Sequence, residues 1–306
     1  MPRKRIFYLL GLFFIVIVIP ALMVKGIYIF SEEEVMVVDV YNHVNDKITS
    51  MEMNTYLTGV VAAEMPAAYE FEALKAQAVA ARTYTILKMK NRDERHPEAD
   101  ICTDFNHCQA WLSEDEMKER WGSDYFYYFS RISYAVRETR GEVIVHNGRP
   151  VDAVYHSNSG GITESAKNVW GNDIPYLTSV DSPYDHERTG NYQHNIYFKV
   201  EDFERQLGIE IKSDFYEPID KSESGRVREL KLGDRYFSGR EIRNLLNLPS
   251  TRFDFAWDGA RVICRVVGNG HGVGMSQDGA DGMARRGLDY IEILKHYYND
   301  VKIIQW

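Results

Sequence analysis

The sequence predicts an α+β fold in which strands and helices alternate irregularly. An alanine-rich segment from Glu70 to about Lys90 places apolar and small residues at helical spacing. Two turn-forming pairs, Asn147-Gly148 and Asp258-Gly259, each separate alternating runs that are typical of β-hairpins. Strand–helix–strand units do not recur, which argues against a parallel α/β fold. We therefore expect mixed sheet elements with interleaved helices that together form a substrate cleft.

The N-terminus carries an uncharged apolar stretch at residues 6–24, directly after three basic residues at positions 3–5. Such a stretch is long enough to cross a hydrocarbon core of about 30 Å. No small-x-small cleavage site precedes Lys25, so we expect an uncleaved transmembrane helix rather than a signal peptide. The positive-inside rule keeps the N-terminus in the cytoplasm. Residues 1–31 would then be the cytoplasmic N-terminus and membrane anchor, and residues 32–306 an extracytoplasmic domain.

The composition is that of a globular protein, with 306 residues of which 44% are apolar and 26% charged. The net charge is −9, and it becomes −13 for residues 32–306 once the four positive charges of the first 31 residues are set aside. This acidity disfavours nucleic acid as a partner but does not exclude a mildly anionic polymer such as cell-wall glycan.

The local elements follow in chain order. The run "EEEVMVVDVYN" reads as an acidic turn that leads into a strand. Asn54 is a suitable N-cap for a short helix over residues 55–65, which Pro66 ends. The long helix at 70–90 follows, and the hairpins come later. A capping box formed by Ser238 and Glu241 begins another short helix, and glycines cluster in the last third of the chain.

Glu64 is the first candidate for chemistry, because it lies in the last turn of the short helix. The unpaired carbonyls and the negative end of the helix dipole disfavour a carboxylate there. The apolar neighbours Val61 and Met65 add a desolvation cost, so the pKa of Glu64 should be raised. A carboxyl group of this kind can act as a general acid at neutral pH. From these residues alone, a solvated helix-end glutamate is the somewhat favoured interpretation.

Four blocks of sequence resemble the stage II sporulation protein D (SpoIID/LytB) family, and they span nearly all of residues 32–306. These blocks are "YLTGVVAAEMPAAYEFEALKAQAVAARTY" at 56–84, "VYHSNSGGIT" at 154–163, "GHGVGMSQDGADGMARRG" at 270–287 and "ILKHYY" at 293–298. The resemblance implies a peptidoglycan lytic transglycosylase that cleaves between N-acetylmuramic acid and N-acetylglucosamine and leaves 1,6-anhydro ends. It also implies that Glu64, in the "AEMP" motif, is the single catalytic acid and base. One carboxylate then suffices, because the muramic 6-hydroxyl replaces the second carboxylate of an ordinary glycosidase. The resemblance implies no cofactor for catalysis.

The matched motifs supply further residues that we expect to line the cleft and bind substrate. At least one of those in the first block is expected to be structural, and the two histidines could equally be packed in the protein. The candidates are Lys75, Gln77, Arg82, Tyr155, His156, Ser157, His271, Ser276 and Gln277.

A loop between the first two blocks holds a possible metal site. His96, Cys102, His107 and Cys108 offer two imidazoles and two thiols, enough for a tetrahedral zinc ion. Two exported cysteines more often form a disulfide, and adjacent His and Cys ligands are unusual. Some members of the resembled family hold zinc at such a cluster, so we expect structural zinc, while a disulfide or neither stays open. A catalytic zinc is a weak alternative, since four protein ligands leave no position for water.

The resemblance also implies a cellular setting. It places the chain in the mother-cell membrane, acting on peptide-stripped glycan strands during septal wall remodelling and engulfment in sporulation. The implied partners are stage II sporulation proteins P, an amidase, and M, a scaffold. The alternative function is a non-catalytic glycan-binding module that activates a cell-wall amidase.

Overall fold

The structure is a computed structural model that describes residues 13–18, 35–187, 189–212 and 214–306. A short π-helical turn, Phe14–Val18, falls within the predicted transmembrane segment, and the rest of that segment lies outside the described residues. None of the described helices combines the length and the apolar character needed to span a bilayer. The membrane anchor and the division at residue 31 therefore stay predictions.

From residue 35 onward, helices and strands alternate irregularly, and the mixed α+β class is confirmed. Labels number these elements in chain order. The helices are α1 Met53–Glu64, α2 Phe71–Lys90, α3 Glu114–Trp121, α4 Tyr125–Glu138, α5 Ala166–Trp170, α6 Thr189–Tyr192, α7 Val200–Leu207, α8 Gly239–Leu245, α9 Gln277–Ala284 and α10 Tyr290–Tyr297. The strands are β1 Val37–Asn42, β2 Lys47–Glu52, β3 Ile101–Cys102, β4 Glu142–His146, β5 Arg149–Pro150, β6 Tyr155–His156, β7 Gln193–Lys199, β8 Tyr216–Lys221, β9 Val227–Leu232, β10 Arg235–Ser238, β11 Phe253–Trp257, β12 Arg261–Val267, β13 Met275–Ser276 and β14 Lys302–Gln305.

The strands form small sheets instead of one large one. In the described part of the chain the strand orders are β2-β1-β3, β14-β4-β5, β13-β6, β10-β9-β8 and β11-β12-β7.

Helix α2 is the centre of the larger hydrophobic core. It packs against α1, α4, α9 and α10 and against strand β4. Small residues such as Ala73, Ala76 and Ala80 are fully buried along it, which lets these neighbours approach closely. The predicted helix at 70–90 is therefore confirmed.

Helix α1 begins earlier than predicted. Its N-cap is Glu52 and not Asn54, and the cap makes no side-chain hydrogen bond. The helix ends at Glu64, because Pro66 forces the preceding Met65 into an extended conformation with φ −123° and ψ 137°. The end of α1 is thus set by a local steric rule, whereas its start is set by the packing of the helix in the core.

A second hydrophobic core lies between strands β7 to β12 and helices α7 and α8. Phe203, Leu230 and Ile242 are fully buried in it. Residues 184–250, in which the sequence showed no site motif, supply most of this core. The capping box of Ser238 and Glu241 is present at the start of α8, as predicted.

Both predicted hairpins form, with different turns. Asn147 and Gly148 have φ values of 51° and 74°, the left-handed pair that a two-residue turn requires. In the second hairpin Trp257 pairs with Val262, so its loop is longer than the predicted two residues. There the Asp258 carboxylate accepts the backbone N–H groups of two following residues, at 2.9 and 2.7 Å, and closes the loop.

The short parallel pair β6 and β13 joins two distant motifs. Tyr155 pairs with Met275 and His156 with Ser276. Gly274, at φ 73°, allows this approach, since a Cβ atom on it would lie 2.1 Å from the carbonyl oxygen of Val154. The "VYHS" motif and the glycine-rich block are therefore neighbours in space.

Candidate active site

A cleft of about 540 Å³ lies where the end of α1 meets the β6–β13 pair. It brings together Glu64, Tyr155, His156, Ser157 and Gln277 out of the predicted site residues. The other lining residues come from neighbouring segments and are Ala62, Ala63, Met65, Pro66, Ala67, Tyr69, Phe105, Arg120, Trp121, Arg243, Asn269 and Gly270.

Glu64 lies in this cleft at the C-terminal end of α1. Burial raises the pKa of its carboxyl group from 4.5 to about 7, and the hydrogen bond from the Ala110 backbone N–H opposes the rise. The Ala110 backbone N–H donates to Glu64 Oε1 at 2.7 Å. Desolvation is thus the cause of the shift, as the apolar sequence around Glu64 indicates, and both protonation states are populated near neutral pH.

Gln109 links Tyr155, which lies beside Glu64, to the buried Thr85 of α2. The Tyr155 hydroxyl donates to Gln109 Oε1 at 2.9 Å, and Gln109 Nε2 donates to Thr85 Oγ1 at 3.1 Å. Burial raises the pKa of Tyr155 well above its ordinary value, so its hydroxyl stays neutral. Tyr155 is therefore fixed as a neutral hydrogen-bonding group beside the carboxyl of Glu64.

His156 is buried and lines the cleft. Its Nδ1 donates to the carbonyl oxygen of Val273 at 3.1 Å, and desolvation lowers its pKa well below the ordinary value. The neutral ring then carries its lone pair on Nε2, which is buried and has no hydrogen-bond partner among the described residues. His156 Nε2 is thus a buried acceptor that the described residues leave without a donor.

His271 lies behind His156 and does not line the cleft. The two rings are 5.5 Å apart, and Trp170 covers His271 at 5.3 Å. Its Nδ1 accepts the backbone N–H of Val273, and desolvation lowers its pKa to about 4. Of the two interpretations left open by the sequence, the structure places His271 as a packed, neutral histidine.

Gln77 also lies behind the cleft wall. Its Oε1 accepts a hydrogen bond from Nε2 of Gln277 at 3.2 Å, and Gln77 itself is fully buried. Gln77 therefore orients Gln277, which lines the cleft, and does not line it itself.

Three other predicted candidates, Arg82, Lys75 and Ser276, do not line the cleft. Arg82 is buried and donates to the carbonyl oxygens of Thr139 at 2.6 Å, Val136 at 3.0 Å and Glu142 at 3.3 Å, so it braces the end of α4 against β4. Lys75 pairs with Glu72 at 2.9 Å and lies over an aromatic ring at 5.0 Å.

Ser276 is the N-cap of α9 and donates to Asp185 Oδ1 at 2.6 Å. Asp185 is fully buried and also accepts the backbone N–H groups of Ser159 and Gly161 at 2.9 and 3.0 Å. No sequence motif marks this aspartate, which ties the loop after β6 to α9.

The sequence analysis also missed side chains that line the cleft. Phe105 is 71% exposed, and Trp121 lies at the end of α3. Arg120, which donates to the carbonyl oxygen of Ala62 at 3.0 Å, and Arg243 add two positive charges. An apolar ring in the otherwise polar cysteine loop is the one sequence signal that could have identified Phe105.

The predicted metal ligands come together. One ligand atom from each of His96, Cys102, His107 and Cys108 lies within 4.8 Å of the others, and both cysteines are free thiols. Ligands of a tetrahedral zinc ion are about 3.3 to 3.8 Å apart, given bond lengths of about 2.0 to 2.3 Å. The His107 Nδ1 to Cys102 Sγ distance is 3.3 Å, and His96 Nε2 lies 3.8 Å from Cys108 Sγ. These two separations match a tetrahedral zinc site, while the four ligand atoms as a set lie within 4.8 Å of one another.

The other nitrogen of His107 is held as in many zinc sites. His107 Nε2 lies 2.8 Å from Asp93 Oδ2. A carboxylate in that position fixes the ring so that Nδ1 faces the other ligands. The loop closed by this cluster carries Phe105 and leads directly into Gln109 and Ala110.

Comparisons of the sequence with known proteins identify a family model and several relatives. A model of the stage II sporulation protein (SpoIID) family matches residues 41–146, which include Glu64 and all four cluster residues. The amidase enhancer of Bacillus subtilis is 26% identical over 300 residues, which cover 79% of this chain but 39% of that protein.

Two relatives match over most of their length. Stage II sporulation protein D of Bacillus amyloliquefaciens is 36% identical over 282 residues, covering 91% of this chain and 82% of the relative. Its counterpart in Bacillus subtilis is 35% identical over 269 residues, covering 87% and 78%. The chain therefore belongs to the stage II sporulation protein D (SpoIID) family of sporulation proteins.

Proposed function

We propose that this chain is a peptidoglycan lytic transglycosylase in which Glu64 is the general acid and base. The observation that carries the proposal is the composition of the cleft. Among the described residues that line it, Glu64 is the one acidic side chain, and its pKa is raised to about 7. A hydrolytic glycosidase needs two carboxyl groups across the scissile bond. A single carboxyl group fits a reaction in which the substrate supplies its own nucleophile.

The reaction takes place in two proton transfers. Protonated Glu64 donates its proton to the glycosidic oxygen, and the bond from the muramic C1 atom to that oxygen breaks. The muramic 6-hydroxyl then forms a bond to C1, and its proton returns to the Glu64 carboxylate. The attack is intramolecular, so positioning replaces a second catalyst. A pKa near 7 suits a group that must both donate and accept a proton.

Other cleft residues are suited to hold the sugars. Phe105 and Trp121 offer ring faces, Arg120 and Arg243 offer positive charge, and the amide side chain of Gln277 offers an acceptor oxygen. These groups match the apolar ring faces, carboxylates and amide N–H groups of a glycan made of N-acetylated sugars.

We also propose that His96, Cys102, His107 and Cys108 hold a structural zinc ion. The bound ion would fix the loop that presents Phe105 to the cleft and the Ala110 N–H to Glu64. The four ligands would fill the coordination sphere, so the ion would not take part in bond cleavage.

The cellular role proposed here follows from the family. The chain would be anchored in the mother-cell membrane by its N-terminal segment and would act on peptide-stripped glycan during septal remodelling and engulfment. Stage II sporulation proteins P and M would be its partners. The similarity to an amidase enhancer supports a second candidate, a non-catalytic module that activates an amidase.

The test is digestion of peptide-free glycan strands by the full chain in detergent. Wild type is compared with Glu64→Gln and with Glu70→Gln, which removes an exposed carboxylate six residues away that does not line the cleft. We expect 1,6-anhydromuramic ends from wild type and from Glu70→Gln but not from Glu64→Gln. Binding without cleavage by wild type would favour the amidase activator instead.

A further inference from the structure

A second pocket, of about 630 Å³, lies along helix α4. It is open to solvent and rich in aromatic residues. Phe71 and Tyr134 stack with their ring centres 5.5 Å apart, and the guanidinium of Arg137 lies 4.9 Å from the Tyr134 ring. Tyr134 is 43% exposed and Tyr127 60% exposed in spite of these contacts. Rings of this size are costly to leave in water, so the surface is suited to a ligand with apolar faces.

The second pocket and the cleft are linked by hydrogen bonds of Arg131. Its Nε donates to the carbonyl oxygen of Ala67 at 3.1 Å and its Nη2 to that of Tyr69 at 2.6 Å. Ala67 and Tyr69 line the cleft, whereas Arg131 lines the second pocket. One side chain of the second pocket is therefore bonded to two residues that line the cleft.

A row of aromatic rings follows the same path. Trp121 in the cleft lies 5.7 Å from Tyr128, and Tyr128 lies 5.3 Å from Tyr127 in the second pocket. These ring contacts link Trp121 in the cleft to Tyr127 in the second pocket.

The charge of the second pocket is positive on a chain whose net charge is −9. Within the described part of the chain, no acidic side chain pairs with Arg131 or Arg137. Arg131 donates to backbone carbonyls, while Arg137 has its guanidinium over a ring. Arg137 is thus suited to bind a carboxylate of a ligand.

We propose that the pocket along α4 is a second binding site for the same glycan strand, which rests on the proposed function. Aromatic rings at Tyr127 and Tyr134 contact the sugar faces, and Arg137 pairs with the lactyl carboxylate of a muramic acid. That carboxylate is free only where the stem peptide has been removed. The pocket therefore makes the chain favour long, peptide-free strands over short ones.

The test measures binding of glycan in a Glu64→Gln background, so that strands stay intact, with the full chain in detergent. Tyr134→Ala and Arg137→Gln are introduced separately. The matched controls are Phe126→Ala, a 78% exposed ring on the same helix outside the pocket, and Arg265→Gln, an exposed arginine on β12. The ligands are long peptide-free strands, short fragments that fill only the cleft, and long chitin oligomers, which lack the lactyl group.

Loss of one ring contact should weaken binding of long strands about three- to tenfold and leave short fragments unchanged. Arg137→Gln should weaken binding of the long peptide-free strands but not of chitin. The proposal is overturned if the pocket variants bind long strands as the controls do, or if long and short ligands weaken equally. It is also overturned if the variants lose binding to anionic lipid vesicles while glycan binding is unchanged.

The two proposals fail separately. If wild type forms anhydro ends but the length dependence is absent, the transglycosylase stands and the second site is wrong. If wild type forms no anhydro ends but Tyr134→Ala still selectively weakens long strands, the second site stands and the transglycosylase is wrong.

Discussion

Glu64→Gln should stabilise the protein, and the gain should grow with pH. The folded-state pKa of Glu64 is raised from 4.5 to about 7 by burial, so ionising this group costs stability in the folded protein. The cost is nearly absent below the unfolded pKa, grows as pH rises through 4.5 to 7, and is complete above the folded pKa. A shift of this size corresponds to about 3 kcal/mol at about pH 8 and about 1 kcal/mol at about pH 5. Glutamine cannot ionise and escapes the cost.

The assay is urea unfolding followed by tryptophan fluorescence at both pH values, for wild type, Glu64→Gln and Glu70→Gln. The difference between Glu64→Gln and wild type should increase by about 2 kcal/mol from the lower to the higher pH. Glu70→Gln should show no such increase, since its side chain is exposed. An equal difference at both pH values would show that the pKa of Glu64 is not raised by burial.

Three further outcomes are expected. The kcat/KM for anhydro-end formation should fall about tenfold per pH unit above about pH 7, because the proton on Glu64 is then lost; a rate that keeps rising would contradict the acid role. The purified chain should hold about one zinc ion, as measured by metal analysis. Cys108→Ser should lower both the metal content and the glycan-digesting activity by about tenfold or more. A metal-free wild type with full activity would rule out the structural zinc. Arg82→Leu should remove the charged donor that three carbonyl oxygens share and cost about 2 to 3 kcal/mol in urea unfolding. KM should stay unchanged because Arg82 does not line the cleft, and a raised KM with unchanged stability would contradict this placement.

Short-range patterns predicted much of the fold and the centre of the site. Helix α2, the two hairpins and the capping box of α8 depend on residues a few positions apart, and each is present. The raised pKa of Glu64 was also predicted, because its apolar neighbours are adjacent in sequence.

Long-range packing determines which of the predicted residues reach the cleft, and local sequence patterns do not show it. Arg82 and Gln77 carry the same donors whether they face a ligand or the core, and only the position of α4 and α9 around α2 decides between them. Phe105 reaches the cleft through a loop whose path leaves no periodic signal, and Trp121 reaches it through the placement of α3.

The proposed zinc would act on the site through the loop after the Cys/His cluster, without taking part in bond cleavage. Ala110 is two residues beyond Cys108, and its N–H lowers the pKa of Glu64 against the larger effect of burial. If zinc holds this loop, its removal should weaken that hydrogen bond and raise the pKa of Glu64. The alkaline limb of the pH–rate profile should then move to higher pH in the chelated protein, together with a lower maximal rate. A lower rate with an unmoved limb would mean that the loop supports the substrate through Phe105 and not the proton on Glu64.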